Sequence, residues 1–314
     1  MEIAITIHAD EEGFTGRECP EIDCGGYFKI EFGTGLKGEG LPCRCPYCGY
    51  ISGHERFWTK EQIEYAKSIA TRTITDALYK DLKKLEFDHK PNGAFGIGIS
   101  LKMEPGRQVP IHCYREKQLE TEIVCSNCTL RYAVYGVFAF CPDCGQHNSI
   151  QILEKNLEVV DKMLDMASTL GNTLAEKLIE NALEDCVSSF DGFGRELCRV
   201  FKEKASDEAK VEKVSFQNLE SANNTINNLF QIDLSAHLTA DEWQSLLRGF
   251  QKRHLLAHKM GVVDQNYITK SGDATAVIGR KAHFEAGDVR ALAQLIRKFA
   301  RYLYDDLQES KKSN

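Results

Sequence analysis

Four short cysteine pairs constrain this chain more than any other feature. They read "CPEIDC" (19–24), "CRCPYCG" (43–49), "CSNC" (125–128) and "CPDCG" (141–145). This is metal-ligand spacing in a reducing compartment rather than a disulfide framework. In "CPYCG" and "CPDCG" two thiolates sit on a tight turn and bind one ion. The glycine after the second cysteine permits a left-handed backbone there, so that turn amides can point at sulfur. Two such turns place four thiolates in a tetrahedron, the closed geometry of structural zinc.

One set is Cys125, Cys128, Cys141 and Cys144. The other opens irregularly with Cys19-x4-Cys24 and closes with Cys48 and either Cys45 or Cys43. Cys45 is favoured, because Cys45-Pro-Tyr-Cys48-Gly repeats Cys141-Pro-Asp-Cys144-Gly. Two structural zinc ions are therefore expected. No catalytic metal is expected, since cysteine fills every coordination position. Of the remaining cysteines, Cys186 and Cys198 lie in helical patterns and read as small buried residues.

The two cysteine sets look like loose repeats: a pair, a strand-rich loop, a "CPxCG" turn, then a helix. "LRYAVYGVFAF" (130–140) reads as a hairpin. "AFGIGISLKM" (94–103) and "QLETEIVC" (118–125) alternate as strands do. Thr59 and Gln62 form a capping box at the start of a helix. In "HERFWTK" (54–60), Arg56, Phe57 and Trp58 make an aromatic-plus-cation set suited to stacking on bases, beside the plainer reading of ribbons as structure and docking surface.

Residues 152–190 carry Leu153, Leu157, Val160, Leu164, Ala167, Leu174 and Leu178 at spacings of three and four. That seam serves either an intramolecular core or a dimerising stalk. "LGNT" (170–173) breaks it, with Gly171 ending one helix and Asn172 capping the next. From 173 onward four helical patterns follow, over 173–205, 216–230, 239–259 and 286–310, the third opened by a Thr239/Glu242 capping box. The expected fold is multidomain. Two small β-rich zinc ribbons (1–58 and 113–150) flank a helix-and-strand connector (59–112). A linker helix (151–172) leads to an all-α bundle (173–314).

Net charge is −7, so no global positive field gathers nucleic acid or an anionic membrane. The N-terminus lacks the pattern of a signal peptide, and no apolar run approaches the ~18 residues of a membrane span. A cytoplasmic protein is expected.

"RHLLAHKMG" (253–261) fits neither zinc binding nor plain packing. His254 and His258, four apart, share a helix face, but Arg253 and His258, five apart, point about 140° away from each other. Either the helix ends irregularly near 258, or two copies face each other across a cleft.

Arg253, His254 and His258, near the end of a bundle helix, resemble the motif of HEPN domains (higher eukaryotes and prokaryotes nucleotide-binding). That motif is an arginine, a polar residue, and a histidine four to six positions after the arginine. "SSFDGFGRELCRVF" (188–201) and "HKMGVVDQNYI" (258–268) resemble the segments around it, so the resemblance covers about 173–309. It implies a metal-independent endoribonuclease working at the cleft of a homodimer. His258 would act as acid or base and Arg253 would hold the phosphate. His254 would orient its neighbours or touch the scissile phosphate. Products would be a 2′,3′-cyclic phosphate and a 5′-hydroxyl. RNA, a second copy and a restraining partner of a defence or toxin system are the implied partners. The alternative is a catalytically inactive HEPN module for RNA binding or dimerisation. A metal site at His254 and His258 lacks further ligands in the adjacent turns. Arg280, Lys281, Arg290, Arg297, Lys298 and Arg301 form either an RNA-facing strip or a solvated helix face, and Gly192 and Gly194 suit close helix approach.

Overall fold

Both cysteine-rich segments contribute to one antiparallel sheet in the computed structural model, which describes residues 3–38, 40–89 and 99–310. Strands β1 (Thr15–Glu18) and β2 (Tyr27–Ile30) come from the first segment. Two short strands, β3 (Pro42–Arg44) and β4 (Ile51–Gly53), pair separately. Strands β5 (Phe87–His89) and β6 (Ile99–Leu101) pair antiparallel with each other. Strands β7 (Thr121–Val124) and β8 (Arg131–Val134) come from the second segment, and the sheet order is β1-β2-β8-β7. The centre is the β2–β8 pairing, with Lys29 opposite Ala133 and Ile30 opposite Tyr132. The expected two ribbons are therefore fused. Each alone is a two-stranded hairpin, too small to hold a core. Pairing β2 with β8 removes two open edges and gives Phe28, Ile30, Phe57, Leu130, Tyr132 and Val134 one common core.

Two local readings change accordingly. "LRYAVYGVFAF" does not fold back on itself, since β8 takes its start and pairs with β7 and β2. In the "AFGIGISLKM" segment, residues 94–98 lie outside the described residues, and Ile99–Leu101 forms β6.

Helix α1 (Lys60–Lys83) starts at the expected Thr59/Gln62 capping box. The Gln62 side-chain amide also donates to the Gly16 carbonyl at 2.9 Å, fastening the helix to β1. "HERF" forms a 3-10 turn whose Phe57 is fully buried against Phe28, with ring centroids 5.8 Å apart. Phe57 is thus a core residue, and the base-stacking set is reduced to exposed Arg56 and half-buried Trp58.

Contacts divide the chain into two units, Met1–His147 and Asn148–Asn314. The second is helical: α2 (Ser149–Ala167), α3 (Asn172–Val200), α4 (Glu208–Val211), α5 (Leu219–Phe230), α6 (Ala240–Lys259), α7 (Gln265–Ser271) and α8 (Ala286–Glu309). The expected linker is part of this unit. Leu153, Leu157, Val160 and Leu164 of α2 are buried in the same core as Val187 and Phe190 of α3 and Ile296 and Phe299 of α8. The heptad-like stripe is an intramolecular core, and Leu174 lies outside it, exposed. Gly171 serves as the N-cap of α3, with Asn172 its first residue. The Thr239/Glu242 box opens α6 as expected.

In the helical unit, close approach uses two glycines. A Cβ on Gly194 would meet the Phe216 ring at 2.6 Å, and one on Gly249 would meet the Leu292 side chain at 2.7 Å, which fixes the α6–α8 spacing. Gly192 faces open space.

Candidate functional site

The eight cysteines chosen from spacing gather into two groups, Cys19, Cys24, Cys45, Cys48 and Cys125, Cys128, Cys141, Cys144. Within each, all four Sγ atoms lie within 4.8 Å of one another, and each group could hold a metal ion. Sulfur pairs stand at 3.6 Å (Cys19–Cys48), 3.7 Å (Cys24–Cys45), 3.6 Å (Cys125–Cys144) and 3.5 Å (Cys128–Cys141). Four sulfurs at ~2.3 Å from one ion would be about 3.8 Å apart, so little movement is needed. Cys43 is fully buried on β3 and belongs to neither group.

The turns explain the geometry. In three of them the first cysteine's carbonyl accepts the N–H of the residue after the second cysteine: Gly49 to Cys45 at 3.1 Å, Thr129 to Cys125 at 3.0 Å, Gly145 to Cys141 at 3.0 Å. The same cysteine's N–H donates across the turn, Cys45 to Tyr50, Cys125 to Leu130 and Cys141 to Gln146. The irregular pair keeps this pattern with two residues inserted. Gly25 donates to Glu21, and Cys19 donates to Gly26. All four positions after the second cysteine are left-handed: Gly25 (φ 51°), Gly49 (76°), Thr129 (66°) and Gly145 (72°). Sequence reasoning missed Thr129, because threonine gives no signal of that backbone.

Burial pushes the Cys19 thiol up to about 12 and Cys128 up to about 11. The hydrogen bond from Cys141 holds Cys125 down to about 4. Such clusters keep some sulfurs protonated unless a cation joins them. A dication bound by four thiolates satisfies every sulfur.

The middle residues of the "CPxCG" turns are also used. The Tyr47 hydroxyl donates to the Tyr27 carbonyl at 2.6 Å and accepts from the Tyr135 N–H at 2.9 Å. Asp143 accepts from the Leu36 N–H at 3.0 Å. Each turn thereby grips the opposite cysteine segment.

In the second unit, Arg253, His254 and His258 all lie on α6. The helix remains regular through Lys259 and closes at left-handed Met260, followed by Gly261. An irregular end near 258, one of the two alternatives, is absent, and the angular separation stands. Arg253 is half-buried, with Nη1 3.4 Å from the Gln217 side-chain oxygen and Nε without a partner. His254 and His258 are exposed neighbours, ring centroids 4.7 Å apart and planes 50° inclined. Partial burial, then the charges of His258 and Lys270, hold His254 below the ordinary imidazole range, against the pull of Asp264. One chain thus offers an imidazole pair on one face and a guanidinium on another. Among the described residues, only the two cysteine groups bring together three or more metal-ligating side chains in this way. Gln217, Asp264 and Lys270 were invisible to sequence reasoning, because loops and α7 bring them to α6.

The basic residues of α8 do not form an open strip. Arg290 pairs with Asp161 and Asp165, Arg297 with Glu154 and Asp161, and Arg301 with Glu154. Lys298 pairs with Glu242, and Lys281 with Glu180. The α8 cations pair with carboxylates of α2 and α6, and Lys281, in the loop before α8, pairs with one of α3.

Among the described residues, no helix is long and apolar enough to cross a membrane. The chain matches no protein-family model, and no curated protein or solved structure is significantly similar to it.

Proposed function

We propose that this protein is a metal-independent endoribonuclease of HEPN type, with two structural zinc ions in its N-terminal unit. The observation that carries the reading is the exposed His254–His258 pair near the end of α6, with Arg253 on the same helix. His254, held below the usual imidazole range, is biased toward the neutral form that can accept a proton. In the reaction, the 2′-hydroxyl gives its proton to one imidazole as its oxygen bonds to phosphorus. The P–O5′ bond breaks, and the other imidazole gives a proton to the leaving oxygen. Arg253 from a second copy supplies the charge for the phosphate, since within one chain it faces Gln217 instead. The cysteine groups hold zinc as structural ions, and the fused sheet serves in docking RNA or a partner.

A second reading has its own support. Arg253 turned toward Gln217, on a different face from the imidazole pair, favours an inactive HEPN module that binds or dimerises without cutting. Purified protein incubated with mixed labelled RNA separates the two. Cleavage lost in His258→Ala supports the enzyme, while RNA binding without cleavage supports the inactive module.

A further inference from the structure

Helix α1 runs for 24 residues, about 36 Å. One of its sides is covered. Ser68 accepts the His112 N–H, Arg72 donates to Gln108, and the Tyr65 ring packs on Tyr114. The opposite side carries an apolar stripe that stands exposed among the described residues. Ile63 is 39% exposed, Ile74 47%, Leu78 57%, Leu82 44%, and Leu85 in the closing turn 62%. Ile63 and Ile74 are eleven apart, three turns plus about 20°, and Leu78 and Leu82 follow in steps of four, so the stripe drifts slowly around the helix, with Leu85 just past its end. A row of large side chains on one face of an exposed helix marks an interaction surface.

We infer that the occupant of this stripe is α1 of a second copy, paired antiparallel about a two-fold axis through Ile74. The charges within the stripe carry the choice. Lys67 and Asp81 each stand seven residues from Ile74, on opposite sides. In the antiparallel pair, Lys67 of each copy faces Asp81 of the other. Ile63 then meets Leu85, and Leu78 meets the small Ala70. A parallel pair in register would set Lys67 on Lys67 and Asp81 on Asp81, which repel. Among the described residues, Lys67 pairs with Glu64 at 3.0 Å and Asp81 with Lys84 at 2.8 Å, with every one of these side chains more than half exposed. Such surface pairs are weak and re-pair readily. The same patch on both partners is the isologous contact expected of a two-fold dimer. It is separate from α6 and does not rest on the ribonuclease reading.

The test is cross-linking in the full-length, metal-loaded chain, in a Cys113→Ser background because Cys113 is exposed. Ile74→Cys should form an intermolecular disulfide under mild oxidation. An equal mixture of Ile63→Cys and Leu85→Cys chains should cross-link to each other, with neither cross-linking alone. Lys67→Glu should lower the Ile74→Cys yield about tenfold, and adding Asp81→Lys should restore it. All these positions are exposed, so the fold is not at stake. No cross-link at Ile74→Cys above the parent chain, or Ile63→Cys cross-linking with itself as well as with Leu85→Cys, overturns the proposal.

Discussion

The Arg44 N–H donates to the Pro142 carbonyl at 2.7 Å, and the Phe140 N–H returns the bond to Pro46 at 2.9 Å. Each residue directly precedes the first cysteine of a "CPxCG" turn, and each acceptor is the proline directly after the other turn's first cysteine. The two "CPxCG" turns are thus bonded to each other reciprocally. Together with the β2–β8 pairing, this makes the two cysteine groups one folding unit.

Disrupting one group should therefore empty both. Cys128→Ser removes a ligand from the second group alone, so independent ribbons would retain one ion per chain. The fused unit predicts loss of most metal from both groups at a chelator concentration that leaves the parent chain loaded. Elemental analysis after dialysis reads this directly. Circular dichroism should show the helical unit retained, because Asn148–Asn314 has its own core.

Thr129 is the one non-glycine among the four left-handed turn positions, and it is exposed. A β-branched residue there costs roughly 1 kcal/mol or more, part of which glycine gives back as chain entropy. Thr129→Gly should stabilise the first unit by about 0.5 kcal/mol, read as a higher urea midpoint of the metal-loaded protein. A lower midpoint would mean that the side chain contributes something its exposure does not show.

The two cysteine groups were legible in the sequence because both partners of each pair lie on one turn, where spacing fixes geometry. Cys45 was separable from Cys43 by the repeat of the proline and glycine around it. Helix boundaries set by Thr59 and Thr239 were legible for the same local reason. The fusion of the ribbons was not, since Lys29 and Ala133 are brought together by pairing across a hundred residues. Phe57 illustrates the ambiguity of an aromatic beside a cation, which suits a base or a core equally until burial is known. The α8 arginines read as a basic strip because their carboxylate partners lie on α2, more than a hundred residues away.

Those arginines should be dispensable for RNA. Arg290→Gln and Arg301→Gln should leave RNA affinity and its salt slope unchanged within about twofold, because their charge is already matched by Asp161, Asp165 and Glu154. Arg253→Gln, whose arginine has no carboxylate within salt-bridge distance among the described residues, should weaken binding. A drop in salt slope with the α8 variants would restore the RNA-facing strip.

His254 should titrate below the ordinary imidazole value of ~6.5. A histidine whose folded value is depressed binds fewer protons folded than unfolded. Its contribution is full above the unfolded value and declines as pH falls from there through the folded one. NMR titration of the imidazole signals checks the direction. Lys270→Glu should move His254 upward, since the Lys270 charge is among the causes of its depression. An unchanged or lower value would show that Lys270 does not act on this ring.

The central claim is tested most directly by incubating the full-length protein with an end-labelled RNA and with the same RNA carrying a 2′-deoxy sugar at the cut position. The account predicts a fragment ending in a 2′,3′-cyclic phosphate from the first and none at that position from the second. It also predicts a loss on the order of 10²-fold or more for His258→Ala, with metal content and helicity unchanged. Cleavage of the deoxy substrate at the same bond, or a His258→Ala chain that cuts as fast as its parent, would contradict it.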